Sequence, residues 1–305
     1  MVSIVAKKIK GIEYLYLVES IRIKDKVTQK TIKYIGKKRP ITMEEFECMK
    51  ESFEEKDWVL KEADCLSYIE HKKMKDASKN QKNYLNSLDK VSKEKEREKF
   101  LSLFIANSNA IEGSTLTVKD TYNFLFKDIT PDGHTRKELF MALNMLNAWK
   151  YLEKNPKKFP NENDIKTMHG MVNRDIESEK TLGKYKKVQN YVGEIHTTSY
   201  LYIEERMKRL MKWIKKSYAM INDFEVAFQS HAQFEIIHPF IDGNGRVGRL
   251  LLNWLLMHKK LMPISIRNEK RSGYLSALQN SQRGRVEAIC KFCLDEYLNQ
   301  YRFIS

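Results

Sequence analysis

The run that decides the fold is His238-Pro239-Phe240-Ile241-Asp242-Gly243-Asn244-Gly245-Arg246-Val247-Gly248-Arg249. The apolar residues before it, FEII at 234–237, read as a helix end, and Pro239 stops that helix. His238 therefore sits at a helix terminus and faces a loop. Gly243 and Gly245 flank Asn244, so the loop has access to left-handed turns that bring N–H groups together. Such a concavity binds anions. A helix starting near Arg246 adds the positive potential of its N-terminus. Arg246 and Arg249 are three residues apart, on one helix face, and both can fork onto phosphate oxygens. Asp242 is the only carboxylate in the loop. Beside a polyphosphate it is tolerable when a hard cation such as Mg²⁺ lies between them. His238 is then the one general base in reach. A plain helix–turn–helix corner would need the glycines, but not the base, the carboxylate and both arginines.

Working outward, the pattern is mainly α. Helices are expected at 43–75 (one or two), 93–111, 117–126, 134–154, 162–174, 202–219, 222–236, 246–259 and 285–299, with the polar stretch 75–90 as a boundary. Only 186–198 reads as an interior extended piece. Residues 1–40 differ: SIVAKKI, IEYLYLVESIRI and VTQKTIKYIG are β-branched and aromatic, with KGI and KDK at the turns. They predict a three-stranded antiparallel meander. Pro40 ends it, and Thr42 with Glu45 predicts a capping box at the first helix. Three units follow: a small basic β-module at 1–40, a helical linker region at 41–92, and a catalytic helical domain at 93–300.

The 305 residues carry 42% hydrophobic and 31% charged side chains, a globular composition. Asn253 interrupts the longest apolar run, Leu250 to Met257, which is too short to span a bilayer. No signal-peptide stretch precedes the first lysines, so the expectation is a cytoplasmic chain with no membrane contact. The formal net charge is +15, and residues 1–40 hold eleven Lys/Arg against three acids. That module would suit an acidic partner, nucleic acid included. Cys290 and Cys293 have CxxC spacing, which suits redox or metal chemistry. They sit in AICKFCLDEYL, however, where helical periodicity makes them core residues, and no second Cys or His pair stands nearby in the sequence. No HExxH, Walker loop or zinc spacing occurs. His231, two helical turns before His238, reads as a packed histidine. His196 is a further candidate ligand or base, while His134 and His169 have no partners in the sequence.

The segment 238–249 matches every specified position of HPFx[DE]GNGRxxR and so resembles the core motif of the Fic family, with broader similarity over about 95–300. The resemblance implies a Fic-type helical bundle with a short β-hairpin flap. It also implies transfer of AMP from ATP to a Ser, Thr or Tyr hydroxyl of a target protein. His238 would be the catalytic base and Asp242 would hold Mg²⁺. Gly243, Asn244 and Gly245 would cradle phosphate with their backbone, with Val247 and Gly248 in the same ATP-binding run. Arg246 and Arg249 would hold the β- and γ-phosphates. The Gly-Asn-Gly-Arg form favours adenylylation over phosphorylation. GKYKKVQNYVGEIH resembles the family's flap, the expected dock for an unidentified target protein, with Asn190, Tyr191, Val192 and Gly193 bordering the nucleotide. Lys186 stands where relatives often have Arg. Tyr274 and Gln282 fall where relatives place adenine-pocket residues.

Ser108-Asn109-Ala110-Ile111-Glu112-Gly113 resembles the family's inhibitory motif, [ST]xxxE[GN]. By that resemblance, Glu112 would pair with Arg249 and deny it to the γ-phosphate. Gly113 is also a natural helix C′ residue. The resulting expectation is a nucleotidyltransferase held off by its own Glu112, able to modify itself, with a homodimer allowed. Two alternatives stand beside it. One is a bifunctional enzyme that also removes AMP. The other is a nucleic-acid-binding regulator with a Fic core. The first forty residues are also similar to a short β-module at the front of some transposases.

Overall fold

The computed structural model describes residues 1–23, 26–54, 58–192 and 195–302. Strands β1 (Val2–Ile9), β2 (Ile12–Ile23) and β3 (Lys26–Lys37) form the expected meander in the order β1-β2-β3, antiparallel throughout. Lys10 and Gly11, at φ 48° and 83°, make the first turn, whose positive φ pair matches the twist of a two-residue hairpin. The expected KDK turn includes residues 24 and 25, which lie outside the described residues. Two register shifts in β3 leave Ile32 and Ile35 unpaired in the ladder, and both side chains join the core under the sheet.

Eleven helices follow among the described residues. They are α1 (Met43–Phe53), α2 (Tyr68–Ser87), α3 (Lys90–Ile111), α4 (Val118–Phe126), α5 (Arg136–Lys154), α6 (Glu162–Val172), α7 (Ile203–Ser217), α8 (Asp223–Ile237), α9 (Asn244–His258), α10 (Arg271–Gln282) and α11 (Glu287–Gln300). A two-residue hairpin, β4 (Tyr191–Val192) with β5 (Ile195–His196), lies between α6 and α7. Helices α2, α4, α5 and α6 each open on a reciprocal capping box, which fixes their starts. At α1 the box is only half made. The Glu45 N–H donates to Thr42 Oγ1 at 3.1 Å, but the Glu45 carboxylate accepts from Arg39 instead.

Two expectations are corrected. The helix expected to stop at 75 runs on to Ser87, so the break before α3 falls at the far end of the polar stretch 75–90. Its buried face is narrow: Met74 packs in the core, while the polar His71 and Ser78 are held by Glu225 and by the Met262 N–H. Helix α10 did not stand out in the sequence, since its Ser, Gly and Asn residues are weak helix formers.

Helices α8 and α9 form the centre. Nearly every residue of both is buried, as a helix surrounded on all sides requires. Around them pack α2, α3, α5, α6, α7, α10 and α11. The coil 58–67 runs along α8. Backbone N–H groups of Val59, Lys61, Cys65 and Leu66 donate to the side chains of Gln233, Gln229 and Glu225, one turn apart on α8. The β-module has its own small core of Leu15, Leu17, Ile35, Met49 and Tyr202. Among the described residues, no helix is long and apolar enough to cross a membrane.

Candidate active site

Helix α8 ends at Ile237, and His238 takes a left-handed conformation at φ 48°, ψ 61°. That reversal turns the chain into the loop 238–243. The loop is clasped from inside by Asn244. Its Oδ1 accepts from the Phe240 N–H and its Nδ2 donates to the Phe240 carbonyl, both at 2.9 Å. Gly243 is left-handed at φ 74°, and a Cβ there would lie 2.4 Å from Asn173 Nδ2. Both facts demand glycine. Gly245 is already in the first turn of α9 and needs no left-handed backbone. Its hydrogen is needed for space, since a Cβ would meet Glu112 Oε1 at 2.2 Å.

Helix α9 starts at Asn244, so its N-terminus faces the loop as the spacing predicted. The guanidinium of Arg246 is 2% exposed and donates from Nη2 to Asn173 Oδ1 at 2.9 Å. Its Nε and Nη1 have no partner among the described residues. Burial pushes the Arg246 pKa down. A buried cation with two idle donors at a helix N-terminus is a demand for an anion. Asp242 stands at the mouth with its side chain 58% exposed, 4.0 Å from Arg246. An accessible carboxylate beside an anion site is a donor set suited to Mg²⁺.

Arg249 is held from α3. Its Nε donates to Ser108 Oγ at 2.9 Å, and Nη2 donates to the Ser108 carbonyl at 2.8 Å and to Glu112 Oε1 at 2.7 Å. Burial works against this charge, yet Glu112 and the other acceptors hold its pKa above the ordinary arginine value. Gly113, at φ 97°, lets α3 end where Glu112 can face α9. Ser108 and Glu112 thus sit one turn apart on α3 and converge on one arginine.

A cavity of about 320 Å³ opens beside Glu112 and Arg249. Its walls include Glu112, His238, Arg249, Tyr274, Leu278 and Gln282, the last three from α10. Burial, reinforced by the nearby Lys186 cation, pushes the His238 pKa down to about 4. The ring is thus neutral and basic near pH 7. Tyr274 is buried, and its hydroxyl pairs with His231 Nε2 at 2.6 Å, so it is fixed as a wall. His231 is accordingly a packed histidine. Val247 lies fully in the core, and Gly248 faces Glu235 and His231 of α8.

The flap is tied down at its base. Lys186 Nζ donates to Asn190 Oδ1 and, at 2.7 Å, to Thr197 Oγ1, while Asn190 Nδ2 donates to the Phe240 carbonyl at 2.9 Å. Burial pushes the Lys186 pKa down to about 7. Tyr191 is 42% exposed. Of Val192 only the backbone is described, and Gly193 lies outside the described residues.

Several site residues escaped the sequence reading. Asn173 joins Arg246 to the loop, since its Nδ2 also donates to the Asp242 carbonyl at 3.3 Å. His169 stacks on Phe240 at 3.9 Å and its Nε2 meets the Asp242 carbonyl at 3.1 Å. Glu235 lines the cavity with 12% of its side chain accessible. None has a motif of its own, and only the packing of α6 and α8 against the loop reveals them.

Residues 159–256 match the Fic/DOC family, and residues 2–57 match the N-terminal domain of the IS1634 family of transposases. The first of these stretches is thus similar to a Fic domain. The likeness of its first residues to a transposase front module, read from the sequence, also holds. Relatives named protein adenylyltransferase Fic include those of Caenorhabditis elegans, 28% identical over 62% of this chain, and of Drosophila willistoni, 30% identical over 65%. This chain spans about two fifths of their length, 38% and 41%. Among solved structures, Fic-1 from C. elegans superposes with a TM-score of 0.67 at 24% identity, covering 77% of this chain and 72% of that one. A Fic domain containing signaling protein from Bacteroides thetaiotaomicron gives 0.66 at 22% identity, covering 76% and 97%. The helical body is therefore a Fic fold.

Proposed function

We propose that this chain transfers AMP from ATP to a hydroxyl side chain of a protein, and that Glu112 restrains the reaction. The observation that carries the reading is a neutral buried base and a carboxylate-engaged guanidinium on one cavity, with the half-satisfied guanidinium of Arg246 three residues before Arg249 on the same helix. The relatives' names agree with it.

His238 takes the proton of the attacking hydroxyl. The new bond joins that oxygen to the α-phosphorus, and the bond to the β-phosphate oxygen breaks, releasing pyrophosphate. The buried Nδ1 of His238 lies 3.9 Å from Glu235, which leaves Nε2 as the working nitrogen. Arg246 and the first turn of α9 bind the phosphates through donors that have no other use. Asp242 would hold Mg²⁺, which supplies charge neutralisation on the polyphosphate when bound. Tyr274, Leu278 and Gln282 offer a wall for adenine. The hairpin β4–β5 presents an edge along which a target backbone can pair. In this reading residues 93–300 form the catalytic unit.

The test is incorporation of labelled AMP from MgATP into the chain itself and into candidate proteins. His238→Ala should lower it by about 10²- to 10⁴-fold while ATP binding persists. Unchanged labelling in that variant would reject His238 as the base.

One observation favours a second activity. The Glu112 side chain is 35% exposed, so a water can reach a carboxylate at the phosphate site. Glu112 could then orient water for AMP removal. Release of AMP from a labelled target, lost in Glu112→Gln, would establish it.

A further inference from the structure

A second cluster of reactive side chains lies at the other end of α8 from the cavity, where the coil 58–67, α2 and α11 meet. Cys65 comes from the coil, His71 from α2, Glu225 from the first turn of α8 and Cys290 from α11. Cys65 Sγ, Cys290 Sγ and a Glu225 oxygen all lie within 4.8 Å of one another, as do ligand atoms of Asp64, His71 and Glu225. Glu225 and Cys290 are fully buried, and His71 is 7% exposed. His71 Nε2 is 2.8 Å from Glu225 Oε1. The Cys65 and Cys290 thiols are in hydrogen-bond contact.

We propose that Cys65, Cys290 and Glu225, with His71 at the fourth position, form a structural site for a Zn²⁺-like cation. Two thiolates, an imidazole and a carboxylate are ligands for a borderline-soft tetrahedral ion and are a poor match for Mg²⁺ or Ca²⁺. Cys65, Cys290 and Glu225 already lie within 4.8 Å of one another, while His71 reaches the group through Glu225 and must swing toward the sulfurs to complete a tetrahedral shell.

The carboxylate is already aimed. Glu225 accepts from the Cys65 N–H at 2.7 Å and the Leu66 N–H at 2.8 Å. Oε1 also meets His71 Nε2 and Oε2 accepts from Gln229 Nε2 at 3.4 Å, so a cation would replace these two contacts. Asp64 Oδ2 lies 3.9 Å from His71 Nδ1, on the outer side of the ring. A carboxylate behind a ligating histidine orients the ring and raises its basicity. Lys61, 3.0 Å from Glu287 at the rim, supplies a cation near a site whose ligands sum to three negative charges.

The CxxC spacing of Cys290 and Cys293 is therefore incidental. Cys290 finds its partner 225 positions earlier, in a coil that no spacing rule connects to it. The ion would pin the coil and α2 to α8 and α11.

The test uses the full chain purified without chelators. Elemental analysis and Zn²⁺ titration against a chromogenic chelator give stoichiometry and affinity. Co²⁺ titration reports the ligands, since thiolate coordination produces sulfur-to-metal charge-transfer bands and tetrahedral visible bands. One equivalent of Zn²⁺ and thiolate-type Co²⁺ bands are expected. Cys65→Ser and Cys290→Ser should abolish those bands, and His71→Gln should weaken binding by roughly 10- to 100-fold. Cys48→Ser, in the core under the β-sheet, should change nothing. Circular dichroism of each variant separates lost ligation from lost folding, and the wild-type Co²⁺ spectrum depends on no variant. A wild-type chain without thiolate bands, Zn²⁺ affinity unchanged in both serine variants, or a Cys65–Cys290 disulfide in place of metal would each overturn the proposal.

Discussion

At the scale of single residues, the cavity is organised by who holds Arg249. Ser108 grips its Nε and Nη2 through a hydroxyl and a carbonyl, and Glu112 takes the remaining Nη2 contact. Removing Glu112 leaves the arginine oriented but free to meet phosphate. A hydrogen bond to a charged group contributes about 1.5–3 kcal/mol, so Glu112→Gly is expected to raise AMP transfer roughly 10- to 100-fold. Self-labelling of both proteins in one MgATP buffer checks this, and equal labelling would make Glu112 a plain helix-end residue. His238 carries a second expectation. Burial and the Lys186 cation push its pKa down to about 4, so the base is free at any pH well above that. The acid limb of kcat/KM should fall near pH 4–5. A limb near 6.5, the ordinary histidine value, would mean that the ring is solvated during turnover. The sequence made this site legible because its chemistry is concentrated in twelve contiguous residues. Asn173, His169 and Glu235 were not legible, because each reaches the loop from another helix.

At the scale of elements, the contact between α8 and α9 sets the cavity floor. Gly248 allows it, since a Cβ there would meet Glu235 Oε1 at 2.2 Å and His231 Nδ1 at 3.1 Å. Glu235 and His231, 3.8 Å apart, have pKa values pushed in opposite directions, up to about 8 and down to about 3, each mainly by burial. Both are therefore neutral near pH 7. The signs follow from linkage. His231 binds its proton more readily when unfolded, so its contribution is full above about 6.5 and is lost as pH falls toward 3. Glu235 holds its proton in the folded state after the unfolded chain has released it. Its contribution is full below about 4.5 and is lost as pH rises toward 8. Between these limits the two slopes cancel. Above 6.5 Glu235 is the one of the pair still titrating, at up to about 1.4 kcal/mol per pH unit, while Lys186, held down to about 7, adds an opposite slope above that pH in wild type and variant alike. Glu235→Gln should thus flatten the fall in Tm between pH 6.5 and 8 seen in wild type, a comparison made by calorimetry. Parallel curves would show that Glu235 is ionised in the folded chain. The helices themselves were mostly legible, since capping boxes and apolar periodicity are local. α10 and the second half of α2 escaped because polar or small residues supply their outer faces while tertiary packing supplies their stability.

At the scale of the whole molecule, the β-module is joined to the catalytic body through the flap's exit. Cys48 Sγ donates to the Thr197 carbonyl at 3.0 Å, and the Ser199 N–H donates to Ser52 Oγ at 2.9 Å. Arg206 Nη2 donates to the Ser52 carbonyl at 2.5 Å, and Lys33 pairs with Glu205 at 2.9 Å. Thr197 in turn accepts from Lys186, which anchors the flap. The meander was legible in its alternation, but this docking was not, because Tyr202 and Met49 carry no pattern that links them. Met49 is fully buried in the small core that Tyr202 closes. Met49→Ala removes a side chain whose loss costs about 2–5 kcal/mol, most of it at this junction. Hydrogen exchange should then accelerate in β1–β3 and α1, while α8 and α9 keep their protection, because their core does not include Met49. Loosening of Thr197 should reach Lys186 and Asn190. Transfer to a protein target should therefore weaken in KM for the target, with a smaller rise in KM for ATP, since the cavity walls come mostly from α3, α8, α9 and α10 and only Thr197 joins them from the flap's exit. Equal loss of protection in α8 and α9 would show that module and body unfold as one unit. A rise in KM for ATP alone would separate the module from the flap and tie it to the nucleotide site instead.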